Sequence, residues 1–225
     1  MELAGRIIAI TGALGVLGRT VAEAAAERGA TVIAIDRVDG TPPRDVHSWP
    51  ALDLGDAAAT QAAFAGIAAR HGGLDGLVNI AGGFRWETLA DGSTDTWDRL
   101  YEMNVRTAVN ACRGALPHLR SPGRIVNVGA AGAVKAAAGM GAYAASKAGV
   151  ARLTEALAEE LKARAVTVNA VLPSIIDTPA NRADMPDADV SRWVRPQELA
   201  DVILFLLSAR ASAVTGALIP VTGRV

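Results

Sequence analysis

Apolar residues fall into short unbroken runs, separated by longer stretches in which they recur at helical spacing. The runs Ile7–Ile10, Thr31–Ile35, Leu74–Ile80, Arg124–Val128, Val166–Val171 and Ala217–Val221 read as strands, and a further short strand is expected before Asp53. They are continuous rather than alternating, as strands are when helices cover both faces of their sheet. Between them the pattern predicts helices over Leu17–Arg28, Asp56–Arg70, Thr96–Leu119, Ala142–Arg164 and Gln197–Ser208. This alternation predicts one α/β domain over residues 1–225, a Rossmann-type doubly wound parallel sheet flanked by helices. The stretch from Ser174 to Arg195 fits neither pattern. It is bounded by Pro173 and Pro196, and it contains Pro179 and Pro186 among several Asp and Arg residues. Because it follows a strand end, where ligands bind in such sheets, residues 174–195 are expected to form a substrate lid.

Composition narrows the function classes. The chain has 225 residues, 51% of them hydrophobic and only 4% aromatic, so it can bury a large core without staples. Its net charge is −1 with no basic run, which argues against a nucleic-acid partner. No charged leader precedes a long apolar core, and no apolar run is long enough to cross a bilayer, so a cytoplasmic protein without membrane partners is expected. The lone Cys112 has no internal disulfide partner and is read as a packed residue. His47, His71 and His118 lack ligand spacing, so no metal is expected. Trp49 and Trp97 have no motif around them.

The first strand runs into Thr11-Gly12-Ala13-Leu14-Gly15-Val16-Leu17-Gly18 and then a helix. Glycines there let the backbone turn tightly and approach a pyrophosphate, while the helix N-terminus offers free N–H groups and partial positive charge. The second strand ends at Asp36, whose carboxylate can accept both hydroxyls of an adenosine ribose and repels a 2′-phosphate. That favours NAD(H); Arg37 beside it leaves NADP(H) possible.

Tyr143 and Lys147 stand four apart at the start of a helical stretch, on one face. A phenol near pKa of about 10 is a poor acid–base group, and a neighbouring ammonium favours its ionised form. Such a pair could pass a proton to or from a substrate at neutral pH.

Together these motifs resemble the short-chain dehydrogenase/reductase family along the whole chain. The matching pieces are the Thr11–Gly18 turn, Asp36, Asp53-Leu54, Asn79-Ile80-Ala81-Gly82, Asn104, Tyr143 with Lys147, and Asn169 through Pro173 to Thr178. The resemblance implies that Asp53 and Leu54 contact the adenine, and that Asn79, Ala81 and Gly82 line the cofactor cleft. It further implies that Tyr143 gives or takes the proton, and that Lys147 holds the nicotinamide ribose and depresses the Tyr143 pKa. Asn104 would bind a water in the proton relay, and Ile176 and Thr178 would meet the carboxamide. Relatives are commonly dimers or tetramers built on the long helices, so a homodimer or homotetramer is expected.

The chain departs from the family pattern in two places. The commonest glycine turn of the family has its middle glycine where this chain has Val16, with Gly15 one position earlier. The family serine, thirteen positions before the tyrosine, is Ala130 here. Dihydropteridine reductases, a branch of the family, also carry alanine there. Their lid is similar to Asp177–Arg182, Met185-Pro186, Ala188-Asp189, Ser191 and Trp193, and one of their active-site loops to Ala81-Gly82-Gly83-Phe84. Phe84, Trp86 and Trp193 are expected to line a pocket for a flat ring. Ser174 stands where the family usually has glycine and is a candidate to compensate for Ala130. The leading expectation is an NADH-using reductase of a small conjugated or quinonoid substrate. The alternatives are an alcohol or ketone dehydrogenase that manages without serine, and a non-catalytic cofactor-binding protein.

Overall fold

The computed structural model describes every residue from Met1 to Val225. Seven strands, β1 (Ile7–Thr11), β2 (Thr31–Ile35), β3 (Val46–Ser48), β4 (Leu74–Asn79), β5 (Leu119–Val128), β6 (Thr167–Pro173) and β7 (Leu218–Val221), form one sheet in the order β3-β2-β1-β4-β5-β6-β7. All six pairings are parallel. The order reverses between β1 and β4, which opens a crevice at the carboxyl ends of those two strands.

Seven α-helices accompany them: α1 (Val16–Glu27), α2 (Ala57–His71), α3 (Thr94–Tyr101), α4 (Thr107–Ala115), α5 (Gly141–Glu160), α6 (Pro179–Asp184) and α7 (Pro196–Leu207). Successive strand residues face opposite sides, so each strand feeds two cores. Ile8 and Ile10 join Val21, Ala25, Leu199 and Ile203 under α1 and α7. Ala9 joins Phe64, Ile67, Ala111 and Leu157 under α2, α4 and α5. Alanine on the buried helix faces lets helices and sheet approach closely, which explains why so few aromatics suffice.

The strands and helices lie where the apolar pattern puts them, with two corrections. The stretch expected as one helix over Thr96–Leu119 stays helical but changes its winding. α3 ends at Tyr101, a π-helical turn spans Glu102–Arg106, and α4 follows. β5 then begins at Leu119 rather than Arg124, because Leu119 already pairs with Leu74 across a register irregularity. The segment 174–195 is more structured than a bare loop. It holds α6, a 3-10 turn at Val190–Arg192 and a bridge between Ile176 and Val194. No helix is long and apolar enough to cross a membrane.

Candidate active site

The three glycines of the first turn do different work. Gly12 has φ +64, and a Cβ there would sit 2.8 Å from the Ala81 nitrogen. At Gly18 a Cβ would lie 2.1 Å from the Gly12 carbonyl oxygen, so only glycine lets α1 pack under the turn. Gly15 is different: a Cβ there meets nothing closer than 3.5 Å, and the residue is exposed. It is the N-cap of α1, and α1 has neither a side-chain cap nor an acidic residue in its first turn. By contrast, Asp56 caps α2 through the Ala58 and Ala59 nitrogens. The free N–H groups and dipole at α1 therefore suit a pyrophosphate, and the open side of Gly15 gives it room. Val16 is exposed beside that opening, whereas the Leu17 side chain is buried in the α1–α7 core.

Thr11 locks the crevice. Its Oγ1 accepts from the Ile80 nitrogen at 3.1 Å and the Ala81 nitrogen at 3.2 Å, joining the ends of β1 and β4. Asp36, half-buried at the end of β2, accepts from the Leu14 nitrogen through Oδ2 at 2.9 Å and from the Arg37 nitrogen through Oδ1 at 2.8 Å. Each carboxylate oxygen keeps acceptor capacity for a ribose hydroxyl. Asp53 is exposed and accepts from the Gly55 nitrogen. The Leu54 side chain is 5% exposed and belongs to the core with Phe64, so only its backbone stands beside Asp53 toward an adenine. The Asn79 Nδ2 donates to Asn127 Oδ1 and to Cys112 Sγ inside the protein, so its side chain ties β4 to β5 and α4. Ala81 and Gly82 remain at the crevice surface.

Asn104 sits inside the π-turn, buried to 1% exposure. Its Oδ1 accepts from the Gly83 nitrogen at 2.9 Å. Its Nδ2 donates to the Gly83 carbonyl at 3.1 Å and to Ser146 Oγ at 2.9 Å. Ser146 in turn donates to the Tyr143 carbonyl at 2.7 Å. Both amide hydrogens of Asn104 are thus occupied, so a water at this point is restricted to acceptor atoms. Gly82 has to be glycine here, since a Cβ would fall 2.5 Å from Asn104 Oδ1 and 3.5 Å from Lys147 Nζ.

Tyr143 and Lys147 share the first turns of α5, as their spacing requires. Lys147 is 6% exposed, and its Nζ donates to the Val128 carbonyl at 2.9 Å. Burial pulls its pKa down from 10.5 to about 8. Burial pushes the Tyr143 phenol up from 10.0 to about 12. The second shift runs against the expectation that Lys147 depresses Tyr143: among the protein's own groups desolvation wins, and the phenol keeps its proton. The ring of Phe84 stands edge-on to that of Tyr143, with centroids 4.9 Å apart.

Ala130 is 5% exposed and presents only a methyl group where β5 ends. Ser174 does not replace the missing hydroxyl as a donor, because its Oγ hydrogen goes to the Thr222 carbonyl at 2.8 Å. Phe84 and Trp86 are exposed to 56% and 60%. Trp193 is 5% exposed, and the main chain around it is held against Gly223, so its ring is packed rather than offered to a ligand. Pro173 ends β6 in the core, Ile176 packs partly on the α1–α7 core, and Thr178 caps α6 by accepting from the Asn181 nitrogen. The Thr178 hydroxyl keeps its hydrogen free, which fits a carboxamide oxygen.

Sequence reasoning had Thr11 only as the start of the glycine turn and missed Ser146, Asn110 and Asn127 as site-forming residues. Asn110 donates to the Leu54 and Gly55 carbonyls, and Asn127 donates to Thr154 Oγ1. A polar residue inside a mostly apolar strand or on a buried helix face was the only available signal.

The chain matches the family model described as Enoyl-(Acyl carrier protein) reductase over residues 12–223. It is 32% identical to the 3-oxoacyl-[acyl-carrier-protein] reductase FabG of Vibrio harveyi, over 99% of this chain and 98% of that protein. It is 30% identical to the L-xylulose reductase of Bos taurus, over 99% and 97%. A short-chain dehydrogenase/reductase from Serratia marcescens superposes with a TM-score of 0.89 at 27% identity, over 99% and 98% of the two chains. The aldohexose dehydrogenase of Thermoplasma acidophilum gives 0.90 at 27%, over 99% and 94%. With the glycine turn, the crevice between β1 and β4, and Tyr143 and Lys147 on one helix face, this end-to-end agreement shows that the chain belongs to the short-chain dehydrogenase/reductase family of NAD(P)-dependent oxidoreductases.

Proposed function

We propose that this oxidoreductase uses NADH to reduce a small conjugated or quinonoid substrate of the dihydropterin kind, with Tyr143 as the proton donor. A nicotinamide cofactor would supply the hydride. The free N–H groups of α1 would take its pyrophosphate, Asp36 and Asp53 its adenosine end, and Lys147 and Thr178 its nicotinamide half. Tyr143 holds its proton across the physiological range, so it is ready to donate. Segment 174–195 covers the substrate.

The observation that carries the substrate class is Ala130. Reduction of a simple ketone builds charge on one oxygen, and a hydroxyl beside it stabilises that charge. This site has a methyl group instead, while Ser146 and Ser174 already donate their hydrogens to carbonyls. A quinonoid ring spreads the charge over conjugated atoms, so it needs positioning and a proton more than an oxygen clamp. The wild-type kcat/KM is therefore expected to be much higher for a quinonoid dihydropterin than for simple ketones. Ala130→Ser is expected to raise the ketone value by about tenfold or more, against the roughly 10²–10³ that such a donor contributes elsewhere. Quinonoid reduction changes little in that variant. The relatives' names favour a second reading, a ketone reductase without the serine. A wild-type preference for ketones by a wide margin would establish it and end the quinonoid reading.

Cofactor choice follows from Asp36. Its carboxylate is fixed by two backbone N–H groups and cannot swing away from a 2′-phosphate. NADH is expected to bind more tightly than NADPH at fixed salt, and Asp36→Ala to narrow the gap by about tenfold, since like charges held together cost affinity. Equal dissociation constants in the wild type would show that Arg37 outweighs Asp36.

A further inference from the structure

Five of the nine aromatic residues, Phe84, Trp86, Trp97, Tyr101 and Tyr143, lie on the β4–α3 loop, α3 and the start of α5. Between these elements is a cavity of about 290 Å³, whose lining includes Glu87, Ser93, Thr94, Trp97, Gly141 and Ala142. Gly141 and Ala142 immediately precede Tyr143, so the cavity lies beside the start of α5. The space is built rather than accidental. The Trp86 indole donates to the Ala138 carbonyl at 3.0 Å and lies over Gly139, which has φ +73 and no room for a Cβ. The Glu87 nitrogen donates to the Gly139 carbonyl at 2.8 Å, tying the loop to the approach to α5. Trp97 packs on Gly141, where a Cβ would be 3.3 Å from the indole ring.

The wall chemistry selects an occupant. Trp97 is 41% exposed and offers an aromatic face. Ser93 Oγ accepts from the Asp95 nitrogen and keeps its hydrogen, while Thr94 makes no side-chain hydrogen bond, so two hydroxyls are free. The Glu87 carboxylate accepts from the Ser93 nitrogen and from Arg85, and the Thr96 side chain first, then the Ser93 nitrogen and Arg85, hold its pKa below the usual value. It is therefore ionised at neutral pH and keeps anions out, even though the α3 N-terminus lies beside it.

We infer that this cavity receives the non-reacting substituent of the substrate, and that the substituent is uncharged and hydroxylated, not a carboxylate or phosphate. The inference rests on the proposed reduction of a flat ring at Tyr143 but makes its own claim. It concerns the tail that the ring carries.

The test compares NADH-dependent kcat/KM for three quinonoid dihydropterins that differ only in one ring substituent: methyl, dihydroxyalkyl or carboxyalkyl. The dihydroxyalkyl compound is expected to exceed the methyl one by about tenfold, as for a site that hydrogen-bonds a hydroxyl, and the carboxyalkyl one to fall below both. Trp97→Ala should shrink the dihydroxyalkyl-to-methyl ratio by about tenfold. Glu87→Gln should lift the carboxyalkyl compound relative to the other two, and it serves where Trp97→Ala folds poorly. Equal values for the three tails in the wild type, or a Trp97→Ala loss shared equally by all three, would overturn the inference. If no quinonoid compound is reduced but ketones are, the substrate reading has failed. The same three tails on a ketone then test the cavity, with the same ratios supporting or overturning it.

Discussion

Tyr143→Phe is expected to lower kcat for reduction by about 10²–10⁴-fold while leaving cofactor affinity and fold intact, the usual range for losing a positioned acid. Phenylalanine keeps the ring and its edge-on contact with Phe84. The backbone carbonyl that receives the Ser146 hydroxyl also stays in place. Only the phenolic hydrogen goes. No neighbouring hydroxyl stands ready to replace it, because Ser146 and Ser174 point their hydrogens at carbonyls and Ala130 has none. With the phenol near 12, the protein's own groups favour giving a proton over taking one, so oxidation in the reverse direction should require alkaline conditions. Steady-state turnover alongside a cofactor dissociation constant checks this. A variant with near-normal kcat would show that the proton comes from elsewhere.

Lys147→Met is expected to abolish most turnover and yet stabilise the fold at neutral pH. The ammonium is 6% exposed, has one protein partner in the Val128 carbonyl, and faces no carboxylate within ion-pair distance. A fall in pKa from 10.5 to about 8 means that the unfolded chain binds this proton more tightly than the folded one. The destabilisation, on the order of 3 kcal/mol, is fully present below pH 8 and fades as pH rises to about 10.5. Methionine removes it but strands the Val128 carbonyl, which leaves a net gain of about 1–2 kcal/mol at pH 7 and none at high pH. Melting temperatures of both proteins at pH 7 and pH 10 measure this. A variant less stable than wild type at pH 7 would refute the claim that the buried ammonium is a cost. The same titration predicts that wild-type reduction declines above pH 8, where Lys147 loses its charge while Tyr143 is still protonated.

The sheet was legible in the sequence because buried parallel strands are largely apolar on both faces, as β1 and β2 are. The glycine turn and the Tyr143–Lys147 pair were legible because their chemistry depends on local spacing. What was hidden depends on contacts between distant segments. Nothing in the run from Thr94 to Ala115 announces a π-turn, and the contacts Asn104 makes from it go to the distant Gly83 and Ser146. Leu54 and Asn79 stand at expected positions in the chain, but the direction of each side chain is set by neighbouring layers. Trp97 had no motif around it, and only the fold brings it against Gly141.

The π-turn at Glu102–Arg106 also sets a phase. An α-helix advances by about 100° per residue, so one residue more or fewer turns everything beyond it by that angle. Upstream of α4, Asn104 holds the loop beside Tyr143 and Lys147; within α4, Asn110 holds the Leu54–Gly55 carbonyls beside Asp53. The two asparagines grip two separate loops from one continuous helical stretch, and the wider turn that holds Asn104 sets the rotation with which that stretch enters α4. The spacing between hydride chemistry and nucleotide grip is therefore written into the winding of a helix, and length changes within 102–106 disturb both ends at once.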